Sequence, residues 1–566
     1  MSYKVTSLTN KIWNIQSLKT EYASSKELVL TLAENRCIKN LDNFLNTTVK
    51  NTMPDPFVFI DMEKAVDCVA NAIKSGRKIV IFGDYDVDGV ASTAICINFL
   101  NYVRADCSYE IPDRSKDGYG INIENLSKHK DSLIIAVDCG SSAINELLYA
   151  KNFGIDIIVI DHHKMSSIPS ALAIINPYRP DEKDDYKYLC AAGLVFMCIV
   201  GINRSLKESG FYFNKKEPCL VDYLDLVALA TVCDVVNLIG LNRAFVSVGL
   251  KVIQQRKNLG IDALMSLYRG STITAETISF FLGPKLNAAG RMSSADISVK
   301  LLTTKNPIEA KNIAKQLDDF NKKRQIIEHE ITEKIIANVD DNAAFICSYH
   351  SDWHAGIIGI VAGRLKEKFG KPAIVISCDK NGKCKASCRS VDDLDISELV
   401  DEGIRRGIIS SGGGHSMAAG FTIEVDKIDE LMEFLKAEIK LPNRSQELWA
   451  DCLLNLQMLS VDFIEAISVL EPFGMGNRYP KFVITNVRIS SAKIVGENHI
   501  ATVLSDDFGN SLRAISFKVA NTVLGKTILN TIDPVYALGT LSISHWKGKK
   551  YISFLLEDIS DCRFGA

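Results

Sequence analysis

At 566 residues the chain is too long for one ordinary core, so at least three domains are expected. Hydrophobic residues make up 47% and charged residues 23%, a soluble globular balance that excludes a low-complexity or fibrous chain. A net charge of -3 excludes a globally basic nucleic-acid binder, so any such binding must come from local patches.

The first residues, MSYKVTSLTNKIW, lack the apolar core of a signal peptide. Fifteen cysteines without a repeating CxxC frame are expected to be reduced thiols of a cytosolic protein. From about residue 76, short apolar runs alternate with helical patterns. Strands are predicted at 78–82, 108–111, 133–137 and 155–160, most of them rich in Ile and Val. The helical segments between them imply a parallel α/β sheet. The apolar run CAAGLVFMCIVGI (190–202) is shorter than the ~20 residues of a membrane span and reads as a buried core helix.

A long helix follows. Asn306 can cap it, Pro307 suits its first position, and Glu309 stands where a capping box needs it. Ile313, Leu317, Phe320, Ile327, Ile331 and Ile335 recur at helical or heptad spacing, and no Gly or Pro interrupts before about Val339. A rod of roughly 48 Å results, long enough to be a strut between domains. A second α/β unit starts near Ala343. The segment from about 450 holds short alternating runs, with Val535, Ala537, Leu541 and Ile543 on one face, which predict a small antiparallel β-barrel.

Three predicted strands of the first unit end in acid. GDYDVDG supplies Asp84, Asp86 and Asp88; AVDCG supplies Asp138; IDHHK supplies Asp161, His162 and His163. LATVCDVVNL places Asp234 at the end of another apolar run. In open α/β sheets the crevice beyond the carboxyl ends of the strands is where ligands bind, so these turns would converge. Taken alone, each motif reads more readily as a solvated turn, or as a surface or satisfied core histidine pair. Together, carboxylates with imidazole suit Mn²⁺ or Mg²⁺, and such crowding of like charge calls for a divalent ion. The donors suffice for two ions about 3.5–4 Å apart, a phosphoester-cleaving arrangement.

The set DYDVDG, VDCG, DHH and VCDVV resembles the DHH phosphoesterase superfamily, and more narrowly its RecJ-type exonuclease family. MPDPFVFIDM, IPDRSKDGYGIN, LGPKLNAAGRM, WHAGIIGIVAGRL, GGGHSMAAGF and EPFGMGN follow in that family's order over roughly residues 50–566. The resemblance implies a parallel-sheet DHH domain (61–300), a connecting helix (301–340), a second α/β DHH-associated domain (341–445) and an OB-fold (446–566). Residues 1–60 are expected to pack on the DHH domain. It also implies metal ligands at Asp84, Asp86, Asp138, His162 and Asp234, with Asp138 bridging both ions and His163 either a ligand or beside the phosphate. Asp88 is read as holding its loop and Asp161 as supporting the ligands.

For the substrate, Arg114, Ser387 and Arg389 resemble the family's 5′-phosphate pocket, where a planar guanidinium donates two parallel hydrogen bonds. Gly413, Gly414 and His415 of GGGH offer backbone N–H groups and a ring to a phosphate, or only a tight turn. Tyr119 could stack on a base or sit in the core. Arg291 and His354 are further candidates for the strand's backbone. Lys322, Lys323 and Arg324, the pair Arg405 and Arg406, and Trp546 with the lysines at 547, 549 and 550 could form basic patches or simply solvated faces.

The implied function is single-stranded-DNA-specific exonuclease action, 5′→3′, by a two-metal mechanism with Mn²⁺ or Mg²⁺, in DNA repair and recombination. A cytoplasmic monomer is expected, without membrane contact, supplied by a helicase and a single-strand-binding protein. The alternatives are a DHH-type phosphodiesterase of short oligonucleotides or cyclic dinucleotides, and an inactive DNA-binding scaffold.

Overall fold

The computed structural model describes residues 3–112, 120–270, 272–340, 342–440, 446–546 and 549–561. Two short strands open the chain, β1 (Tyr3–Thr6) and β2 (Ile12–Ser17). The first α/β unit contains β3 (Ile79–Gly83), β4 (Cys107–Glu110), β5 (Leu133–Val137), β6 (Asp156–Ile160) and β7 (Ala173–Ile175). They pair all-parallel in the order β4-β3-β5-β6-β7. The short β7 was not foreseen; three apolar residues give no period to read.

Helix Val87–Tyr102 leaves β3 and is buried over most of its length, because the helices Ala191–Glu208 and Leu224–Cys233 cover its far side. The apolar run at 190–202 forms the first part of Ala191–Glu208 and is core. Among the described residues no helix is long and apolar enough to cross a membrane.

The long helix runs Pro307–Ile336, capped by Asn306, whose Oδ1 accepts from the N–H groups of Ile308 and Glu309. Its 30 residues span about 45 Å. Ala310, Ile313, Ala314 and Leu317 belong to the first unit's core. Ile331 and Ile335 belong to another core, with Trp353, Ile357, Val361 and Leu365. One helix is therefore rooted in both α/β units.

The second unit holds β8 (Ile346–His350), β9 (Ala373–Cys378), β10 (Lys383–Arg389), β11 (Ser411–His415) and β12 (Ala418–Glu424), ordered β11-β12-β10-β9-β8. Cys378 and Cys384 face each other across β9 and β10 and are joined as a disulfide. The expectation of thiols throughout is corrected here: a tight hairpin sets two cysteines six residues apart opposite each other. The other described cysteines are free.

The last segment supplies β13 (Glu447–Leu454), β14 (Phe482–Val495), β15 (His499–Ser505), β16 (Ser511–Ser516), β17 (Val535–Trp546) and β18 (Lys549–Ser560). Pairings run β14-β15-β16-β18-β17 and back to β14. Four of these junctions are antiparallel, while β16 with β18 is parallel.

The N-terminal residues depart from expectation. β2 pairs parallel with β13, so residues 3–17 extend the C-terminal sheet instead of lying on the first unit. Trp13 and Ile15 are fully buried there with Leu453, Val483 and Leu538, and Trp13 Nε1 donates to Asp558 at 2.9 Å. Only the later part of the segment reaches the first unit, where Val49 and Met53 pack on its core. Buried Arg243 ties the pieces together. It stacks on the Phe44 ring at 3.7 Å and donates to the carbonyls of Phe44, Leu470 and Glu471.

Candidate metal centre and phosphate seat

Gly83, Val137 and Ile160 lie in one register row of the parallel sheet. Asp84, Asp138 and Asp161 follow them directly and so emerge side by side at the carboxyl edge. The chain turns from β3 to β4 on one side and to β5 on the other, so this row sits at the topological switch point. Asp138 adopts φ 61°, and Val235, next to Asp234, adopts φ 58°. A left-handed Val is a genuine outlier, and strain of this kind, about 1–3 kcal/mol per residue, gathers at functional sites. No sequence period signals it.

The side chains converge. His162 Nε2 lies 3.4 Å from Asp138 Oδ1 and 3.6 Å from both Asp88 Oδ2 and Asp234 Oδ2. Three donor groups have ligand atoms within 4.8 Å of one another: Asp84 with Asp86 and Asp138; Asp138 with His162 and His163; Asp88 with His162 and Asp234. Asp138 belongs to two of these groups, as does His162.

Asp86 caps helix Val87–Tyr102, accepting from the N–H groups of Asp88 and Gly89. Asp88 reaches further than its own loop: its two oxygens accept from Ala191 and Ala192 at the start of Ala191–Glu208. Asp161 accepts from Ser141 N–H, from the backbone of His162 and His163, and shares a 2.7 Å contact with His163 Nδ1. It therefore fixes the ring of one histidine and the backbone of both.

The electrostatics record the crowding. Burial, then the charges of Asp88, Asp86 and Asp84, push Asp138 well above the usual carboxylate range. Burial, then Asp88 and Asp86, raise Asp234 to about 9. Burial likewise raises Asp88, against His162. Burial would also raise Asp161, but hydrogen bonds from His163 and Ser141 prevail and hold it low. Burial would lower His163, yet Asp161 lifts it to about 9. Asp234 Oδ2 is buried without a hydrogen-bond donor. Carboxylates held against repulsion, one oxygen lacking a donor, and two imidazoles fit hard divalent cations.

The phosphate candidates lie mostly in the second unit. Ser387 and Arg389 are on β10, Gly413 and His415 on the exposed edge strand β11. Ser387 aligns with Gly413 through Gly420, and Arg389 with His415 through Ala418, so all four share one sheet face. Arg389 Nη1 donates to Cys388 O at 2.8 Å and lies 3.4 Å from Ser387 Oγ. Gly359, which sequence reading did not single out, brings the first turn of helix Ile358–Phe369 against both: a Cβ there would stand 2.9 Å from Ser387 Oγ and 3.5 Å from Arg389 Nη2. A helix N-terminus beside a guanidinium is a ready anion seat. At Gly414 the space of a Cβ is filled by Ala418 O at 2.4 Å, so strand pairing alone already demands glycine.

Arg291 Nη1 donates to Gly356 O at 3.1 Å, and exposed His354 accepts from Gly356 N–H through Nδ1. Arg114, Tyr119 and the turn at 547–548 lie outside the described residues. Of the basic patches, Arg324 is buried against Glu328, and Lys322 pairs with Asp318. Arg405 and Arg406 pair with Glu402. Of these, only Arg324 is withdrawn into the interior; Lys322, Arg405 and Arg406 stay exposed beside their partners.

Comparison with known proteins gives three family matches: the DHH family N-terminal domain over 78–231, the DHHA1 domain over 342–441 and the RecJ OB domain over 450–558. The chain is 32% identical over 522 residues to a "Single-stranded-DNA-specific exonuclease RecJ" of Bacillus subtilis, covering 89% of this chain and 64% of that protein. Against proteins so named in Salmonella typhimurium and Escherichia coli, identity is 31% and 30%, covering 88% of this chain and 90% of each. The structure of RecJ with Mn²⁺ from Thermus thermophilus is similar with a TM-score of 0.80 at 26% identity, covering 97% of this chain and 80% of that one.

Proposed function

The chain belongs to the RecJ family of single-stranded-DNA-specific exonucleases, and from that premise we propose that it removes nucleotides from the 5′ end of single-stranded DNA. The observation that carries this is the sharing of Asp138 and His162 among three overlapping donor groups at the switch point of the parallel sheet. Asp84, Asp86, Asp138, His162, His163 and Asp234 would hold two divalent cations, Mn²⁺ or Mg²⁺. When bound, such ions activate water and offset charge building on a scissile phosphate. Asp161 holds His163 in orientation, and Asp88 ties the cluster to helix Ala191–Glu208.

Polarity follows from the second unit. Ser387 and Arg389, with the first turn of Ile358–Phe369, seat a terminal 5′-phosphate, and the strand beyond it runs toward the carboxylates. Arg291, His354 and the GGGH edge are assigned to the strand's backbone, with Arg114 and Tyr119 carried in the same role from the sequence. Separate cores support setting the first unit, the second unit and the C-terminal barrel apart, while the connecting helix shares its two ends with the cores on either side. We extend the reading to a cytoplasmic monomer supplied by a helicase and a single-strand-binding protein.

The test offers a long 5′-phosphorylated single strand, the corresponding duplex and a dinucleotide, with Mn²⁺ or with chelator. Mn²⁺-dependent shortening of the single strand alone is expected. Faster turnover of the dinucleotide with the strand left intact would overturn the assignment.

A further inference from the structure

The metal cluster and the phosphate seat stand in different units, and a chain of backbone contacts spans them. Helix Gly283–Met292 ends on Gly290, Arg291 and Met292. A Cβ on Gly290 would lie 2.8 Å from the carbonyl oxygen of Tyr85, the residue between Asp84 and Asp86. The next carbonyl, that of Arg291, lies 2.6 Å from where a Cβ on Gly356 would be. Gly356 leads into helix Ile358–Phe369, whose Gly359 abuts Ser387 and Arg389.

These approaches are to main-chain atoms at the first two steps, so no rotamer change can relieve an added methyl. The second unit has another anchor on the connecting helix. Glu328, buried there, takes Arg324 Nη1 at 2.7 Å and also pairs with Arg364 from Ile358–Phe369. Met292 packs into the core that holds Trp353 and Ile357. Contacts on two sides fix how the second unit faces the first.

We propose that Gly356, seated on the Arg291 main chain, is a positioning residue. It sets the distance between the carboxylate–histidine cluster and the phosphate seat, and so the number of nucleotides between a seated 5′ end and the bond that is cut. This deepens the nuclease reading and rests on it.

The test uses the full chain and Gly356→Ala, with Gly363→Ala as control, because a Cβ at Gly363 meets nothing within 4 Å. Gly290→Ala displaces the same junction from the other side and decides the matter if Gly356→Ala does not fold. For Gly356→Ala, Mn²⁺ affinity should be unchanged and kcat should fall about 100-fold, the cost of an ångström of misplacement. Products of one length should become a mixture. Independently of turnover, Mn²⁺ relaxation of the terminal ³¹P signal of a bound, non-hydrolysable 5′-phosphorylated strand should show a longer Mn–P distance. An unchanged distance, or unchanged kcat and product length, or the same losses in Gly363→Ala, would overturn the proposal. If the parent chain leaves strands intact but the distance still shifts, the nuclease reading falls and the spacing role stands.

Discussion

Asp88 Oδ2 accepts the N–H of Ala191 at 2.7 Å, with its other oxygen on Ala192 at 2.8 Å. One carboxylate thus caps a core helix while lying 3.6 Å from His162. Asp88→Ala strands two buried N–H groups, so the Mn²⁺-loaded protein should lose about 1–3 kcal/mol in urea unfolding. With chelator the loss should shrink, because removing the carboxylate also relieves repulsion. An equal loss in both conditions would contradict the double role.

Asp138→Ala should abolish hydrolysis while strand binding stays measurable by fluorescence anisotropy. Asp138 belongs to two donor groups, so its loss takes a ligand from each. Near-normal turnover would exclude its bridging position.

Stability of the chelated protein should fall as pH rises from about 6 to 9. Asp234, raised to about 9, and Asp138, raised well above the usual range, hold protons that the unfolded chain releases above about pH 4. His163, raised to about 9, adds stability below about pH 6.5 that is lost on passing its folded value. Asp161, held low, contributes stability that is lost only in acid, outside this window. Urea midpoints at pH 6, 7.5 and 9 test the slope. Saturating Mn²⁺ should flatten or reverse it, since cations replace the protons.

Arg389→Ala should reduce discrimination between 5′-phosphate and 5′-hydroxyl strands by about tenfold or more, the worth of a charged hydrogen bond. Mn²⁺ affinity should not move. Paired kcat/KM values for the two ends, with a metal titration, give the answer.

Glu328→Ala leaves Arg324 buried without its carboxylate and frees Arg364. About 3 kcal/mol of stability should be lost. Arg364→Ala should cost less, because that side chain is half exposed. Denaturant titrations of both variants distinguish them.

The carboxylate cluster was legible because Asp84, Asp138 and Asp161 each close an Ile- and Val-rich run, and parallel strands in register must deliver their ends together. The connecting helix was legible from its Asn306 cap and apolar spacing. Arg324 read as part of a surface run because it follows Lys322 and Lys323, which are exposed. Only the helix's second contact surface turns Arg324 inward to Glu328. The destination of residues 3–17 was not legible either: a six-residue strand carries no mark of its partner, and its pairing with β13 is a long-range event. Asp88 looked like a loop residue because its acceptor bonds go to Ala191 and Ala192, far along the chain.

Asn14 donates to Glu447 Oε2 at 2.9 Å across a sequence separation of 433. At a translation rate of about 5–20 residues per second, the first strands wait roughly twenty to ninety seconds for the segment they pair with to be synthesised. Throughout that wait their unpaired edges and Trp13 remain available to other chains. A chaperone that holds these nascent strands, or fast translation of the intervening message, should raise the yield of correctly paired protein.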